Sequence, residues 1–240
     1  MSIELLLMKL RARDEVSDEE GAALRAAVSE ILEYPADRTF IREGQELKVS
    51  TLLLDGLVCR YKDLRNAERQ ITALHVPGDF VDLHSFSLKR LDHNLMSLTP
   101  CRVALVPHAK LVEITETLPH LTRLLWFSTN LDASIQREWE LSLGRRTAVA
   151  KAAHLFCELR VRLGLIGQAE DKGYALKITQ TELAECIGLT AVHVNRTLKE
   201  LRERGLMDFR RGQVAIWDLG GLEKLAEFRA DYLYLEARPR

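Results

Sequence analysis

"ITQTELAECIGLTAVHVNRTLKELRERGLMDFRRGQVAIWDL" occupies residues 178–219. At about 100° per residue, Val194, Leu198 and Leu201 fall within one narrow stripe of a helical wheel. Val192, Arg196 and Lys199 point the opposite way, with Asn195 and His193 on the flanks. The first stripe is what a surface helix needs to dock on its own domain. The second face is free to touch something else. Thr190 stands before this helix as a cap, and Gly205 marks its end. Upstream, Thr179 with Glu182 three residues later caps a shorter helix that ends at Gly188. Downstream, "LMDF", "RRGQ" and "VAIWD" read as a β-hairpin with Gly212 in its turn. A short helix, a tight linker with glycine, a longer helix and a two-stranded wing make a winged helix-turn-helix.

The sequence before this module has a different character. Residues 3–11 and 17–33 read as helices, the second opened by the capping pair Ser17 and Glu20. From Thr39 to about Pro107, short β-type runs alternate with turn residues. Asp55-Gly56 inside an apolar run predicts a hairpin, and Gly44 and Gly78-Asp79 predict further turns. That rhythm predicts a small barrel or sandwich. A long helical segment follows, from about Leu111 to Arg146. Leu121, Leu124, Leu131 and Ile135 recur on it at near-heptad spacing, and Trp139 extends a neighbouring stripe. A symmetric partner helix is the economical cover for such a stripe, which makes these four the candidate dimerisation residues. Residues 146–163 form another helix, and 167–173 read as a polar loop.

Composition narrows the class. Of 240 residues, 47% are hydrophobic and 29% charged, which suits a globular protein of one large or two small domains. No apolar run reaches the roughly 18 residues that span a bilayer. "MSIELLLMKLRARDE" lacks the basic start and small-residue cleavage site of a signal peptide, so a cytoplasmic protein without membrane partners is expected. Cys59, Cys101, Cys157 and Cys186 are scattered, and no C-x-x-C pair signals zinc or an iron–sulfur cluster. The charge is uneven. Residues 1–144 carry 17 Lys and Arg against 22 Asp and Glu, while 145–240 carry 17 against 13. An acidic front and a basic back point the back half toward a polyanion.

That gives the polar helix face a physical job. The second helix of a helix-turn-helix lies in the DNA major groove. Arg196 can offer two hydrogen bonds to guanine, Asn195 can read adenine, and Val192 can touch a thymine methyl. His193 flanks the same face. Thr190 sits at a helix start suited to phosphate, and Lys199, Arg202, Arg210 and Arg211 suit phosphates as well.

In these residues the chain resembles the Crp/Fnr family, that of the cyclic-AMP receptor protein and the fumarate–nitrate reduction regulator. The resemblance rests on "REGQ" with "LLLDGLVCRY", on "VPGDFVDLHSF", on the long helix, and on "ITQTELAECIGLTAVHVNRTLKELRERGLM". It implies an α+β chain: an N-terminal β-roll sensor domain of the cyclic-nucleotide-binding jelly-roll type (1–117), a dimerisation helix (118–144) and a C-terminal winged helix-turn-helix (145–240). It further implies a homodimer that binds palindromic double-stranded DNA and acts on transcription through RNA polymerase.

Departures from the family pattern set further expectations. Members that read TGTGA- or TTGAT-type half-sites carry a glutamate where this chain has Val192, so the role of Arg196 is carried over but not the half-site. Cyclic-AMP binders hold the phosphate with an arginine–serine pair where this chain has Leu91-Asp92, and an aspartate there repels phosphate. The glutamate that meets the ribose is replaced by Asp79. The candidate effector pocket is therefore Gly78, Asp79, Asp82, His84 and Asp92, for a small-molecule effector other than cyclic AMP. The cofactor stays unassigned. The histidines His75, His84, His93, His108 and His120 lie in or near the β domain, and Asp79, Asp82 and His84 are close in sequence, which gives a haem- or metal-dependent sensor as the alternative. No nucleophile elbow, phosphate-cradling glycine loop or catalytic carboxylate pair speaks for an enzyme. A protein-interaction module with a degenerate DNA-binding domain is the remaining class.

Overall fold

The computed structural model describes residues 3–66 and 68–240. They form an α+β chain of two compact units. Of the described residues, the first comprises 3–62, 73–133 and 234–240, and the second 63–66, 68–72 and 134–233.

In the first unit, α1 (Glu4–Arg11) and α2 (Asp18–Ala27) precede the strands. The expected capping box is present: Ser17 Oγ accepts from the Glu20 N–H, and the Glu20 carboxylate accepts from the Ser17 N–H. The second helix stops six residues earlier than its sequence suggests. Residues Glu30–Tyr34 form β1, which pairs antiparallel with β7. "EILEY" has the alternation of a strand, and an open neighbour edge outweighs its helical periodicity.

β2 (Arg38–Ile41), β3 (Val49–Asp55), β4 (Val58–Asp63), β5 (Arg69–His75), the short helix α3 (Ser85–Leu88), β6 (Asn94–Ser97) and β7 (Cys101–Pro107) complete the roll. One sheet has the order β1-β7-β3 and the other β2-β6-β4-β5. Neighbouring side chains on a strand point to opposite faces, and this divides the apolar residues between two cores. Leu53 and Val103 are paired and lie in a core with Ile41, Val58 and Leu95 from the other sheet. Leu52 and Ala104, one step along, lie in a second core with Leu6, Leu7, Leu10 and Leu24 of the N-terminal helices.

Asp55-Gly56 is not a hairpin. β3 and β4 belong to different sheets, so the turn carries the chain from one sheet to the other. Gly56 has φ +88°, and a Cβ there would stand 2.5 Å from the Pro100 carbonyl oxygen. Two constraints thus require glycine at one position.

α4 (His108–Thr117) and α5 (Pro119–Arg145) replace the single long helix expected from Leu111 onward. Proline at the first position of α5 has no N–H to give to the preceding turn, so it opens a new helix. Leu121, Leu124 and Leu125 of α5 belong to the core shared with the N-terminal helices.

The second unit starts with the end of α5, followed by α6 (Ala148–Gly164), capped by Thr147. The expected loop at 167–173 contains instead a small hairpin, β8 (Ala169–Glu170) with β9 (Gly173–Ala175). α7 (Gln180–Ile187) and α8 (Ala191–Glu203) come next, then β10 (Met207–Arg210), β11 (Gln213–Ile216), α9 (Leu219–Ala226) and a 3-10 turn at Ala230–Leu233. The wing sheet therefore has four strands, in the order β10-β11-β9-β8, where two were expected. Its turn, Arg211 at φ 50° and Gly212 at φ 72°, has the double positive φ of a type I′ hairpin.

Gly56→Ala is expected to destabilise the protein by more than about 1 kcal/mol, because it adds both a strained φ and a clash with backbone. A fall in the denaturant midpoint at unchanged m-value is the result that checks it.

Candidate nucleic-acid interface and sensor site

The caps that delimit the two helices of the motif are those read from sequence. Thr179 Oγ1 accepts from the Glu182 N–H at 3.1 Å, and the Glu182 carboxylate accepts from the Thr179 N–H. Gly188 ends α7 in the left-handed conformation at φ 63°. Thr190 Oγ1 accepts from the His193 N–H at 3.3 Å and starts α8. Val194, Leu198 and Leu201 are buried, as is Thr197 between them. Val192, His193, Asn195, Arg196 and Lys199 are exposed, and Val192 is 64% exposed. An isolated valine at that exposure contributes nothing to the core. Asn195 Nδ2 lies 3.5 Å from Gln180 Oε1, a contact between the first turns of the two helices.

The basic residues differ in how far they are already engaged. Asp208 takes Arg202 Nε on one oxygen at 3.0 Å and Arg210 Nε on the other at 2.9 Å. Lys199 is 3.5 Å from Glu203, and Arg204 pairs with Glu200. Among the described residues, Arg196 and Arg211 have no ion-pair partner, and both are exposed. Among the described arginines of α8 and the wing hairpin, Arg196 on the helix and Arg211 at the wing tip thus keep their hydrogen-bond donors uncommitted.

In the first unit the candidate effector residues do not surround a common space with open valences. A Cβ on Gly78 would stand 2.8 Å from the Leu5 carbonyl oxygen, so α1 lies directly against this turn. Asp79 Oδ1 is paired with Lys9 Nζ of α1 at 2.6 Å, and Asp79 Oδ2 accepts from the Val76 N–H at 2.9 Å. Asp82 is fully buried. It accepts from the Thr51 N–H and from Thr51 Oγ1, and burial pushes its carboxyl up to about 7. Asp92 is exposed and accepts from His93 Nδ1 at 2.9 Å, which holds its carboxyl below the ordinary range. The expected convergence of Asp79, Asp82 and His84 on a metal is not formed: among the described residues no group of three or more His, Cys, Asp or Glu could hold a metal ion.

Sequence reasoning missed the buried charge at the centre of this unit. Arg60 on β4 donates from Nε and Nη2 to the Val81 carbonyl at 2.9 and 2.6 Å and pairs through Nη1 with Asp132 on α5. The signal was a single arginine inside "LLLDGLVCRY", an apolar strand. His84 and His93 stand together, with ring centroids 5.4 Å apart. Burial and the nearby Arg60 charge hold both imidazoles neutral, and His84 falls to about 4.

The candidate dimerisation stripe is placed differently from expectation. Leu121, Leu124 and Ile135 are buried within their own chain, and Leu131 is half-buried. Leu121 and Leu124 belong to the core shared with the N-terminal helices. The exposed residues of α5 follow a heptad of their own: Arg123, Trp126, Asn130, Ala133, Arg137 and Glu140. Trp126 is 68% exposed and the adjoining Leu141 is 49% exposed.

A β-roll followed by a long helix and a winged helix-turn-helix defines a class of two-domain transcription regulators. Residues 31–117 match the model of the cyclic nucleotide-binding domain, and residues 150–225 that of the Crp-like helix-turn-helix domain. The chain belongs to the Crp/Fnr family of DNA-binding transcriptional regulators. It is 29% identical over 179 residues to the nitrogen fixation regulation protein FixK of Bradyrhizobium diazoefficiens, which covers 72% of each chain. It is 25% identical over 193 residues to the transcriptional activator protein FnrL of Cereibacter sphaeroides, covering 79% of this chain and 77% of that one. The solved structure of FixK2 from Bradyrhizobium japonicum superposes with a TM-score of 0.76 at 25% identity, over 85% of this chain and 100% of that one. No described helix is long and apolar enough to cross a membrane.

The neutral histidines make a pH prediction. The unfolded chain takes up a proton on His84 near 6.5, whereas the folded chain takes it up only near 4. Between these values the unfolded state binds more protons, so stability falls on acidification. His84→Gln is expected to lose less melting temperature than the parent between pH 6.5 and 4, measured by thermal denaturation at fixed ionic strength. Parallel curves would mean that His84 is not buried neutral.

Proposed function

We propose that this protein is a homodimeric regulator that reads a palindromic duplex with α8 and answers to an effector other than cyclic AMP. The observation that carries the reading is the division of α8. Its apolar stripe is spent on the domain, and Val192, His193, Asn195, Arg196 and Lys199 are left outward. Arg196 reads guanine, and Val192 packs on a thymine methyl where a glutamate would accept a hydrogen bond. Thr190, Lys199, Arg210 and Arg211 meet phosphates, Arg210 after sharing Asp208 with Arg202. Transcription is then affected through RNA polymerase, as the family resemblance implies.

Three features support an effector other than cyclic AMP. Asp79 is neutralised by Lys9, Gly78 is covered by the backbone of α1, and Asp92 puts a negative charge where a cyclic phosphate would need a positive one. These residues do not fit a cyclic nucleotide, and a small organic effector is the reading that remains.

The dimer face assigned to α5 is the exposed heptad rather than the leucine stripe. Trp126 and Ala133 supply apolar contact. Asn130 on the seam fixes register, as a polar residue at such a position does. Two parallel copies of α5 then present two recognition helices to half-sites one helical turn apart, about 34 Å.

Selection from randomised duplex DNA, with the wild type and Arg196→Ala side by side, tests the reading. A palindromic consensus enriched only by the wild type is expected, with a guanine in each half-site that Arg196→Ala no longer selects. Equal enrichment by both would remove Arg196 from the interface. Separately, Ala133→Glu is expected to shift the protein from dimer to monomer in light scattering and to weaken binding of the selected duplex by more than tenfold. A variant that remains a dimer of unchanged strength would move the interface off this face.

A further inference from the structure

Residues 234–240 form no helix or strand, and 234–239 are exposed. Burial cannot hold such a segment in one place. It nevertheless belongs to the first unit, where it lies on the turn that follows α1. The Arg13 carbonyl accepts from the Arg238 N–H at 2.9 Å and from Arg240 Nη1 at 2.7 Å. Arg13 itself is buried. Its Nε donates to the Tyr234 carbonyl at 3.1 Å, and its Nη1 to the Lys9 carbonyl of α1 at 3.0 Å. One residue thus grips the segment twice, once through its backbone and once through its side chain.

Arg240 is the residue of this segment that is withdrawn from solvent, with its side chain 17% exposed. Its guanidinium carbon stands 3.8 Å from the centre of the Phe127 ring of α5. Nη1 donates to the Arg13 carbonyl and also to the Arg238 carbonyl at 2.9 Å. The Asp14 carboxylate lies 4.0 Å away and is 5% exposed. A planar guanidinium can lie on an aromatic face while its N–H groups reach acceptors at its edge, and an ammonium has no such plane. Phe127, the Arg13 carbonyl and Asp14 therefore make a socket for guanidinium rather than for positive charge in general.

The surroundings suit a basic segment. The socket opens on a cleft of about 930 Å³. Apart from the segment itself, the carboxylates Asp14, Glu15 and Glu20 line it against Arg11. His120 stands between two of them, with Nδ1 2.6 Å from Glu20 and Nε2 3.4 Å from Asp14. Arg238 and Arg240 complement that acidic wall. Pro239 separates the two arginines, and the residue before a proline favours extended backbone. Alternate side chains of an extended chain point opposite ways. Arg240 is accordingly seated, and Arg238 stays outward, paired with Glu236. Backbone hydrogen bonds combined with a side-chain pocket are the means by which grooves recognise extended peptides.

We propose that this groove, between the turn after α1 and Phe127 of α5, is a docking site for an extended arginine-bearing peptide of a partner protein, and that residues 234–240 are its built-in competitor. The groove residues lie outside α8, so this binding is separate from DNA reading. A competitor joined to the groove by the same chain acts at a roughly millimolar effective concentration. An outside peptide enters as the chain's own arginine leaves.

Fluorescence anisotropy of a labelled synthetic peptide with the sequence of residues 234–240 tests this. It is measured on the full-length wild type, Arg240→Ala and Arg240→Lys. Both variants remove the guanidinium, but only the first changes the net charge. Arg240→Ala is expected to bind the peptide at least tenfold more tightly than the wild type, and Arg240→Lys at least fivefold. A peptide that itself carries Arg240→Lys is expected to bind Arg240→Ala at least fivefold more weakly than the parent peptide. Hydrogen exchange on Arg240→Ala locates the site without disturbing the core: the peptide is expected to slow exchange at residues 12–17. Equal binding by the three proteins, binding by none of them, or equal binding of the two peptides would overturn the proposal. So would binding that leaves exchange at 12–17 unchanged.

Discussion

The docking of Val194, Leu198 and Leu201 beneath α8 is the contact on which the functional reading depends. A helix of 13 residues has few faces to distribute. Once one stripe is buried, the rotation of the helix is fixed, and with it the identity of the residues that face outward. Val192 and Arg196 are outward because Val194 and Leu198 are inward. A docking stripe shifted by one residue would present a different set of side chains, so the core of this domain specifies what its surface can read.

The same economy governs α5, with a different outcome. Its 27 residues carry two stripes. Leu121, Leu124 and Ile135 are claimed by the chain's own core, because burying a leucine within the fold gains about 2 kcal/mol without the entropy cost of bringing in a second molecule. What this leaves outward is the less apolar row of Trp126, Asn130, Ala133 and Arg137.

This division explains what could be read from the sequence. The caps at Ser17, Thr179 and Thr190, the left-handed Gly188 and the wing turn at Gly212 were legible because each depends on neighbours within four residues. So was the inward stripe of α8. The β character of residues 39–107 was legible, but not the partnership of its strands: Asp55-Gly56 has the composition of a hairpin turn and makes a crossover, because sheet membership is decided by residues far away in sequence. Glu30–Tyr34 reads as the end of a helix for the same reason, since only the waiting edge of β7 makes it a strand. Leu121, Leu124 and Ile135 lie inside their own chain, because periodicity says that a face is apolar, not which surface covers it. Arg60, Asp132 and the Arg69–Glu185 pair had no local signature beyond a charge in an apolar strand, because their partners lie roughly 70 to 120 positions away.

The sensor core shows how such distant partners act together. Arg60 is buried and cannot lose its proton, so the groups around it must adapt. Asp132 pairs with it and stays below the ordinary carboxylate range, because the arginine outweighs the cost of burial. His84 and His93 stay neutral, because a second buried positive charge would have to share that one carboxylate. Asp82 sits further along the same loop and is pushed up to about 7 by burial, so its effect on stability has the opposite sign to that of His84. Stability associated with Asp82 is lost as pH rises toward 7, and that associated with His84 is lost as pH falls from 6.5 to 4. The two oppose each other across the acidic range and leave the roll with a shallower pH dependence than either would impose alone.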